Sequence, residues 1–415
     1  MINKTIIIFS YEFPSSNTSK EHIFFKNELK EICNSFNKVV IVPLKKNNKN
    51  SVLNLYRKNV IYDFSLSDDV RNFKNILGST LKTLFSIRYY LEIIKNLKLN
   101  LKILRKISSE SVSSLMIKRW LINQKFDYKN TVFYSLWSNQ VLISFNDIKL
   151  ENPNFKCFAR SLGSDLNGYF ANSDYVPYLK KKFQLLDLVI VLNTLQKQKL
   201  LRKKIIKKNK IVKSYLGVEI KKKLSWKNKK EITFISCGNL IEIKNTSKII
   251  KFVKYFANCN KKLNIKYILI GDGPLKKKII NEISETSKNL KINFLGKVDN
   301  FPNYLKRKNA DFFINLSSKE GMSFALMEAM NLGIPPIVSN ISGNKEIVNY
   351  DRGFILKNYT QKEFSKVSNK VLKIFQNKKK FIKKRNNCYS YTLKVLNQKK
   401  LSKNFVKIIK KNLIY

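Results

Sequence analysis

Short apolar runs alternate with helix-length amphipathic segments along this chain, and the alternation runs through twice. In the first half, residues 5–9, 38–43, 131–134, 155–160 and 186–192 read as buried strands, with an amphipathic helix over 21–36. After a lysine-rich stretch at 221–230 the order restarts, with strands at 232–236, 266–270, 292–295, 311–315 and 337–339. Helices read at 247–257, at 275–287 and around Tyr304. Parallel strands need a crossover of a dozen or more residues, so repeated strand–helix alternation predicts doubly wound parallel sheets. Two such runs in 415 residues predict an α/β protein of two Rossmann-like domains facing across a cleft. We place the first at 1–217, a linker at 218–230, the second at 231–390, and a basic helix at 391–415 packing back on the first. Ligands in such folds bind beyond the strand carboxyl ends.

The chemistry is densest at 317–348, SSKEGMSFALMEAMNLGIPPIVSNISGNKEIV. A strand runs into a glycine-containing turn, and a helix-favouring segment follows. Free backbone N–H groups at the start of that helix, with the positive end of its dipole, suit a diphosphate. Glu328, two turns inside that helix, would accept both hydroxyls of a ribose, and Glu320, next to Gly321, would reach a hexose hydroxyl. Two glutamates at this spacing also occur on solvated helix edges, but the surrounding glycine, proline and strands argue for a site. Upstream, Gly271-Asp272-Gly273-Pro274 reads equally as a ligand turn or as a plain turn before a helix. Gly343 and Glu346 read as a turn and a helix cap.

The formal net charge is +53, far from the ordinary range, while a hydrophobic content of 44% is ordinary for a globular chain. The abundance of lysine, asparagine and isoleucine points to an AT-rich genome as one source of that charge. The remainder would attract phospholipid, nucleic acid or sugar nucleotides. The five cysteines are scattered without a C-x-x-C pair, so disulfide and metal roles are not expected. The single histidine, His22, lacks the setting of a catalytic triad. No run of about 20 apolar residues is present, and the first apolar run reads as a strand, not a signal peptide. We therefore expect a cytoplasmic protein, peripheral on the inner face of the membrane. The basic, aromatic stretch from Asn72 to Trp120 has three readings: a solvated helical face, a peripheral membrane patch, or a nucleic-acid surface. No nucleic-acid-binding signature supports the last, and no nucleic acid partner is expected.

Ordered motifs narrow this further. SCGNLIEIKN from Ser236, YILIGDGPL from Tyr267, NFLGKV from Asn293, the glutamate segment from Asp311 and GFIL from Gly353 follow one another at set intervals. In the first half come YEFPSSNTSKEHIFFKNEL, FYSLW, FARSLGSDLNGY, LDLVIVLN and SYLGV. Together they resemble the GT-B-fold retaining glycosyltransferases of bacterial lipopolysaccharide, capsule and exopolysaccharide synthesis, the first half being similar to the colanic-acid-type subgroup.

The resemblance implies transfer of a hexose-type sugar from a nucleotide-diphosphate donor to a lipid-linked or oligosaccharide acceptor, without metal or cofactor. It makes 1–217 the acceptor side and 231–390 the donor side. It implies that Lys244 meets the donor diphosphate, with Gly238 and Asn239 beside it and Gly271, Asp272 and Gly273 near the base. Glu328 would bind ribose and Glu320 the sugar, and the N–H groups of Met322, Ser323 and Phe324 would meet the sugar or β-phosphate at the helix start. Two positions depart from the pattern. Asn239 stands where many relatives carry arginine, and Leu162, before Gly163, where many carry histidine. Arg160 or Asp165 would then take up the polar work there, or the two would form a surface ion pair. The departures also admit a degenerate, non-catalytic partner protein. A basic nucleic-acid-binding protein would explain the charge but not the motif order.

Overall fold

Among the described residues, every strand pairing inside the two sheets of the computed structural model is parallel. The structure describes residues 2–13, 20–45, 58–95, 101–168, 175–226, 229–298 and 300–414. The chain divides into two units, Met1–Tyr215 with Lys399–Tyr415, and Leu216–Gln398.

The first unit holds β1 (Ile2–Ser10), β2 (Phe36–Pro43), β3 (Val60–Tyr62), β4 (Thr131–Ser135), β5 (Lys156–Ser161), β6 (Leu188–Val191) and β7 (Ile211–Lys213). Their order across the sheet is β3-β2-β1-β4-β5-β6-β7. The runs Ile6–Phe9 and Val39–Val42 are buried almost completely, which is why they read as unbroken apolar stretches. Phe9 meets Trp120 and Phe145 edge-on, and Phe133 stacks on Phe155 at 4.2 Å. The helical stretch expected over 72–124 resolves into three helices, Phe73–Leu84, Ile87–Ile94 and Leu101–Asn123. Asn72 starts the first of these, its side chain accepting from the N–H groups of Lys74 and Asn75. The C-terminal helix Gln398–Ile409 brings Phe405 to within 5.7 Å of Tyr134 and 6.4 Å of Phe158.

The second unit holds β8 (Glu231–Cys237), β9 (Asn264–Ile270), β10 (Leu290–Phe294), β11 (Phe312–Asn315), β12 (Pro336–Ser339) and β13 (Phe354–Leu356), in the order β10-β9-β8-β11-β12-β13. The strand order reverses between β8 and β11, as it does between β1 and β4. Such a reversal splits the crossover helices to opposite faces and opens a crevice at the strand carboxyl ends. Residues 218–226, read as linker, are hydrogen bonded into this unit. Leu224 N–H donates to the Leu332 carbonyl at 3.2 Å, and Trp226 Nε1–H to Asp311 at 2.8 Å. The Trp226 indole also packs 4.8 Å from the Phe381 ring. Three-residue strands β3, β7 and β13 have no counterpart in the sequence reading, being too short to show a period.

Candidate active site

The crevice of the second unit is built where β8 and β11 end. β8 runs out at Cys237 and Gly238, followed by a 3₁₀ turn, Glu242–Lys244, and the helix Thr246–Cys259. The alkyl stem of Lys244 passes over Gly238, 3.7 Å from where a Cβ would stand. The ammonium end of Lys244 reaches across the crevice to Glu320, with which it forms a short ion pair. Ser317 Oγ–H donates to the same carboxylate oxygen at 3.0 Å. Both partners of the pair keep some solvent access, 26% for Lys244 and 12% for Glu320. Cys237, Gly238, Lys244, Thr246, Asn315 and Ser317 line the pocket at this point.

Two loops from different strands must hold register for that pair to form, and backbone-directed bonds hold it. Ser318 N–H donates to the Ile243 carbonyl at 2.8 Å, and Asn245 Nδ2–H to the Leu316 carbonyl at 2.9 Å. Asn315, at the end of β11, accepts from Ser317 N–H at 3.1 Å and donates to Ser323 Oγ at 3.0 Å. Gly343 lets the following helix close on the loop, since a Cβ there would lie 2.5 Å from the Glu320 carbonyl oxygen. Asn245, Asn315 and Ser317 carry much of the loop's shape, and sequence reading passed over them. Polar residues at strand ends are too common to stand out without the partners they meet.

The helix after this loop, Phe324–Asn331, is eight residues long. Glu328 therefore sits one turn inside it and not two. Ser323 is its cap, with Oγ accepting from Leu326 N–H at 3.4 Å, so that its hydroxyl as well as its backbone serves the helix start. Gly321, Met322 and Ser323 are buried, and Phe324 is half-buried. Burial pushes the Glu328 carboxyl up to about 7, against the pull of Lys221. Burial, and secondarily the Glu328 carboxylate, push the Cys237 thiol at the end of β8 up to about 12.

Gly271 and Gly273 follow β9 with φ of +150° and +155°. A Cβ on Gly271 would stand 1.9 Å from the Gly238 carbonyl oxygen, and one on Gly273 would stand 2.7 Å from that of Leu240. The 271–273 turn thus lies backbone to backbone under the 238–240 turn, with Leu240 N–H donating to the Asp272 carbonyl at 2.9 Å. Asp272 and Asn239 are exposed beside it. Among the described residues no three His, Cys, Asp or Glu side chains converge as a metal site. The side chain of His22 lies outside the described residues.

The first-unit candidates require correction. Arg160 is fully buried and pairs with Glu28 at 2.7 Å, with its guanidinium 4.5 Å from the Phe405 ring. Asp165 is 1% exposed and accepts from the N–H groups of Ser138, Leu162 and Gly163 at 3.1, 3.0 and 2.7 Å. Burial pushes the Asp165 carboxyl up, against those bonds. The two residues therefore form no surface ion pair. β5 is an interior strand, so Arg160 at its end turns into the core, while Asp165 shapes the loop in which Gly163 adopts φ +141°.

Two doubly wound parallel sheets in this strand order give the chain the GT-B fold. Residues 218–394 match the family described as glycosyl transferases group 1. The chain is 32% identical over 145 residues to UDP-Gal:alpha-D-GlcNAc-diphosphoundecaprenol alpha-1,3-galactosyltransferase of Escherichia coli, covering 34% of this chain and 36% of that protein. It is 32% identical over 120 residues to N-acetyl-alpha-D-glucosaminyl L-malate synthase of Bacillus anthracis, covering 28% and 31%. The matched stretch spans about a third of the length of these curated relatives. Among solved structures, the fold is shared with TarM (TM-score 0.69, 12% identity, 98% of each chain). It is also shared with Anabaena HepE in complex with UDP and glucose (TM-score 0.66, 12% identity, 98% and 100% of the two chains). The lipopolysaccharide outer core galactosyltransferase WaaB shares it too (TM-score 0.67, 15% identity, 98% and 99%).

Proposed function

We propose that this protein is a retaining, metal-independent glycosyltransferase. It would move a hexose-type sugar from a nucleotide-diphosphate donor to a lipid-linked or oligosaccharide acceptor of a bacterial surface polysaccharide, at the inner face of the cytoplasmic membrane. The observation that carries the reading is the meeting of Lys244 and Glu320 at the switch point of the family-matched unit. As the bond from sugar to diphosphate breaks, negative charge grows on the leaving group. Lys244, already aimed into the crevice, stabilises that charge, assisted by the start of the Phe324–Asn331 helix. Glu328 accepts the two ribose hydroxyls and Glu320 a hydroxyl of the sugar. The acceptor hydroxyl attacks from the side the diphosphate leaves, so anomeric configuration is kept. The relatives named for galactosyl transfer and the fold neighbour holding UDP support this choice of substrate class.

Lys244 is paired with Glu320, so a diphosphate must compete with that carboxylate. The test is calorimetric binding of UDP and GDP together with a transfer assay using nucleotide hexoses. Lys244→Ala is expected to weaken nucleoside diphosphate binding by about tenfold or more, one lost charge-assisted contact being worth about 1.5–3 kcal/mol. Glu320→Gln is expected to bind the nucleotide as tightly as the wild type or a few-fold tighter, yet transfer at a small fraction of its rate. Full transfer rates in both variants would sink the assignment.

A further inference from the structure

Two helices of the first unit are turned inside out. In Phe73–Leu84 the buried positions are Ser79 and Thr83, while Phe73, Leu77, Leu81 and Leu84 stand in solvent. In Ile87–Ile94 the inward side holds Ile93 and Tyr89, packed against Ile107, Ile143 and Tyr178, together with firmly bonded polar anchors. Arg88 pairs with Asp147 at 2.8 Å, and Glu92 accepts from Tyr175 Oη–H and Tyr178 N–H at 2.7 Å each. Tyr89 meets Ser108 Oγ at 2.9 Å. The opposite stripe, Ile87, Tyr90, Leu91 and Ile94, has the spacing that normally faces a core, yet every member is exposed. At the turn joining the helices Phe85 is 86% exposed and Ile87 78%. These positions are ordered by firm bonds on one side and left apolar on the other. An apolar surface of this kind marks a docking face.

The charge around the face selects its occupant. From Val70 to Ser109 the sequence has one carboxylate, Glu92, and it is buried. Arg71, Lys74, Lys82, Lys95 and Lys102 are exposed around the apolar stripe. A protein partner of neutral surface would find those cations unmatched, and a second copy of this face would bring like charges together. An anionic bilayer matches both features, taking the apolar side chains below its headgroups and pairing the cations with lipid phosphates. Among the described residues no helix is long and apolar enough to cross a membrane, so the contact is one leaflet deep.

We infer that the pair of helices Phe73–Leu84 and Ile87–Ile94 is a membrane-docking wedge, with Phe85 and Ile87 at its tip inserted into an acidic leaflet. The inference rests on the membrane partner of the proposed transferase and gives it a surface. Its test reads vesicle binding and not sugar transfer.

The full chain is sedimented with vesicles of phosphatidylglycerol and phosphatidylcholine, and with phosphatidylcholine alone, at low salt and at ~0.5 M salt, where the Debye length falls to a few ångströms. The wild type is expected to bind the acidic vesicles and to keep a measurable part of that binding at high salt, through its apolar contacts. Phe85→Ser/Ile87→Ser is expected to lose binding at least tenfold at low salt and altogether at high salt, with an unchanged melting transition of the first unit, followed by the emission of Trp120 and Trp137, as the control of folding. In a separate Phe85→Trp variant, the emission of that tryptophan is expected to shift to the blue on acidic vesicles only. Equal vesicle binding by the double-serine variant and the wild type overturns the inference, as does absence of vesicle binding by a wild type that binds UDP. A wild-type dimer converted to monomer by the double-serine change would give the face to a second copy and overturn it as well. Vesicle binding without UDP binding fails the donor-site reading and leaves the wedge standing.

Discussion

Glu328 offers a perturbation whose sign and size follow from its surroundings. Its carboxyl titrates at about 7 instead of the ordinary 4.5, because burial opposes the charged form more than Lys221 favours it. A folded-state value raised above the unfolded one means the fold prefers the protonated group. The associated stability is fully present below about 4.5 and is lost as pH rises through about 7. At about 1.4 kcal/mol per pH unit, ionised Glu328 costs the second unit up to about 3 kcal/mol at pH 8, the partial solvent access making this an upper figure. Glu328→Gln stays neutral at every pH and escapes the cost. At roughly 2–4 °C per kcal/mol for a unit of this size, its melting transition at pH 8 is expected to rise by about 5–10 °C, falling to no difference near pH 4. The two units need not melt together, so calorimetry should be paired with Trp226 emission, Trp226 being the one tryptophan of the second unit. The same variant is expected to bind UDP more weakly, because an amide cannot accept a ribose diol as a carboxylate does. An unchanged or lower melting temperature at pH 8 would refute the reasoning.

Two further expectations concern the scaffold. Gly271→Ala drives a methyl into the Gly238 carbonyl and should lower the second unit's melting point by many degrees with loss of nucleotide binding; Gly296→Ala, at φ +66° in open space, should cost only about 1 kcal/mol, and equal effects would dismiss the close approach. Glu28→Gln or Arg160→Met alone leaves a buried partner uncompensated and should destabilise the first unit by about 3–5 kcal/mol in urea unfolding, while the double change to methionine should recover most of the loss; additive losses would dismiss the coupling.

Strand existence was legible wherever a run was both long and buried on two faces, as at Ile6–Phe9 and Tyr267–Ile270, because full burial leaves an unbroken apolar word in the sequence. The glutamate segment was legible for a related reason. Its glycine, capping serine and strand lie within a few residues of one another, so local chemistry announces them. Arg160 could not be read this way. Its partner Glu28 lies in another element and Phe405 near the far end of the chain, and only the folded sheet brings the three together.

The alternation of the longer strands with helices, and with it the doubly wound architecture, was determined by the sequence alone, since periodicity is a property of neighbouring residues. The tertiary structure alone decided that Lys244 is paired with Glu320. It alone turned the apolar stripe at Ile87–Ile94 outward and its polar anchors inward. A helix's pattern states which side chains share a face. What that face meets depends on anchors such as Asp147 and Tyr178, which are distant in sequence and adjacent only once the chain has folded.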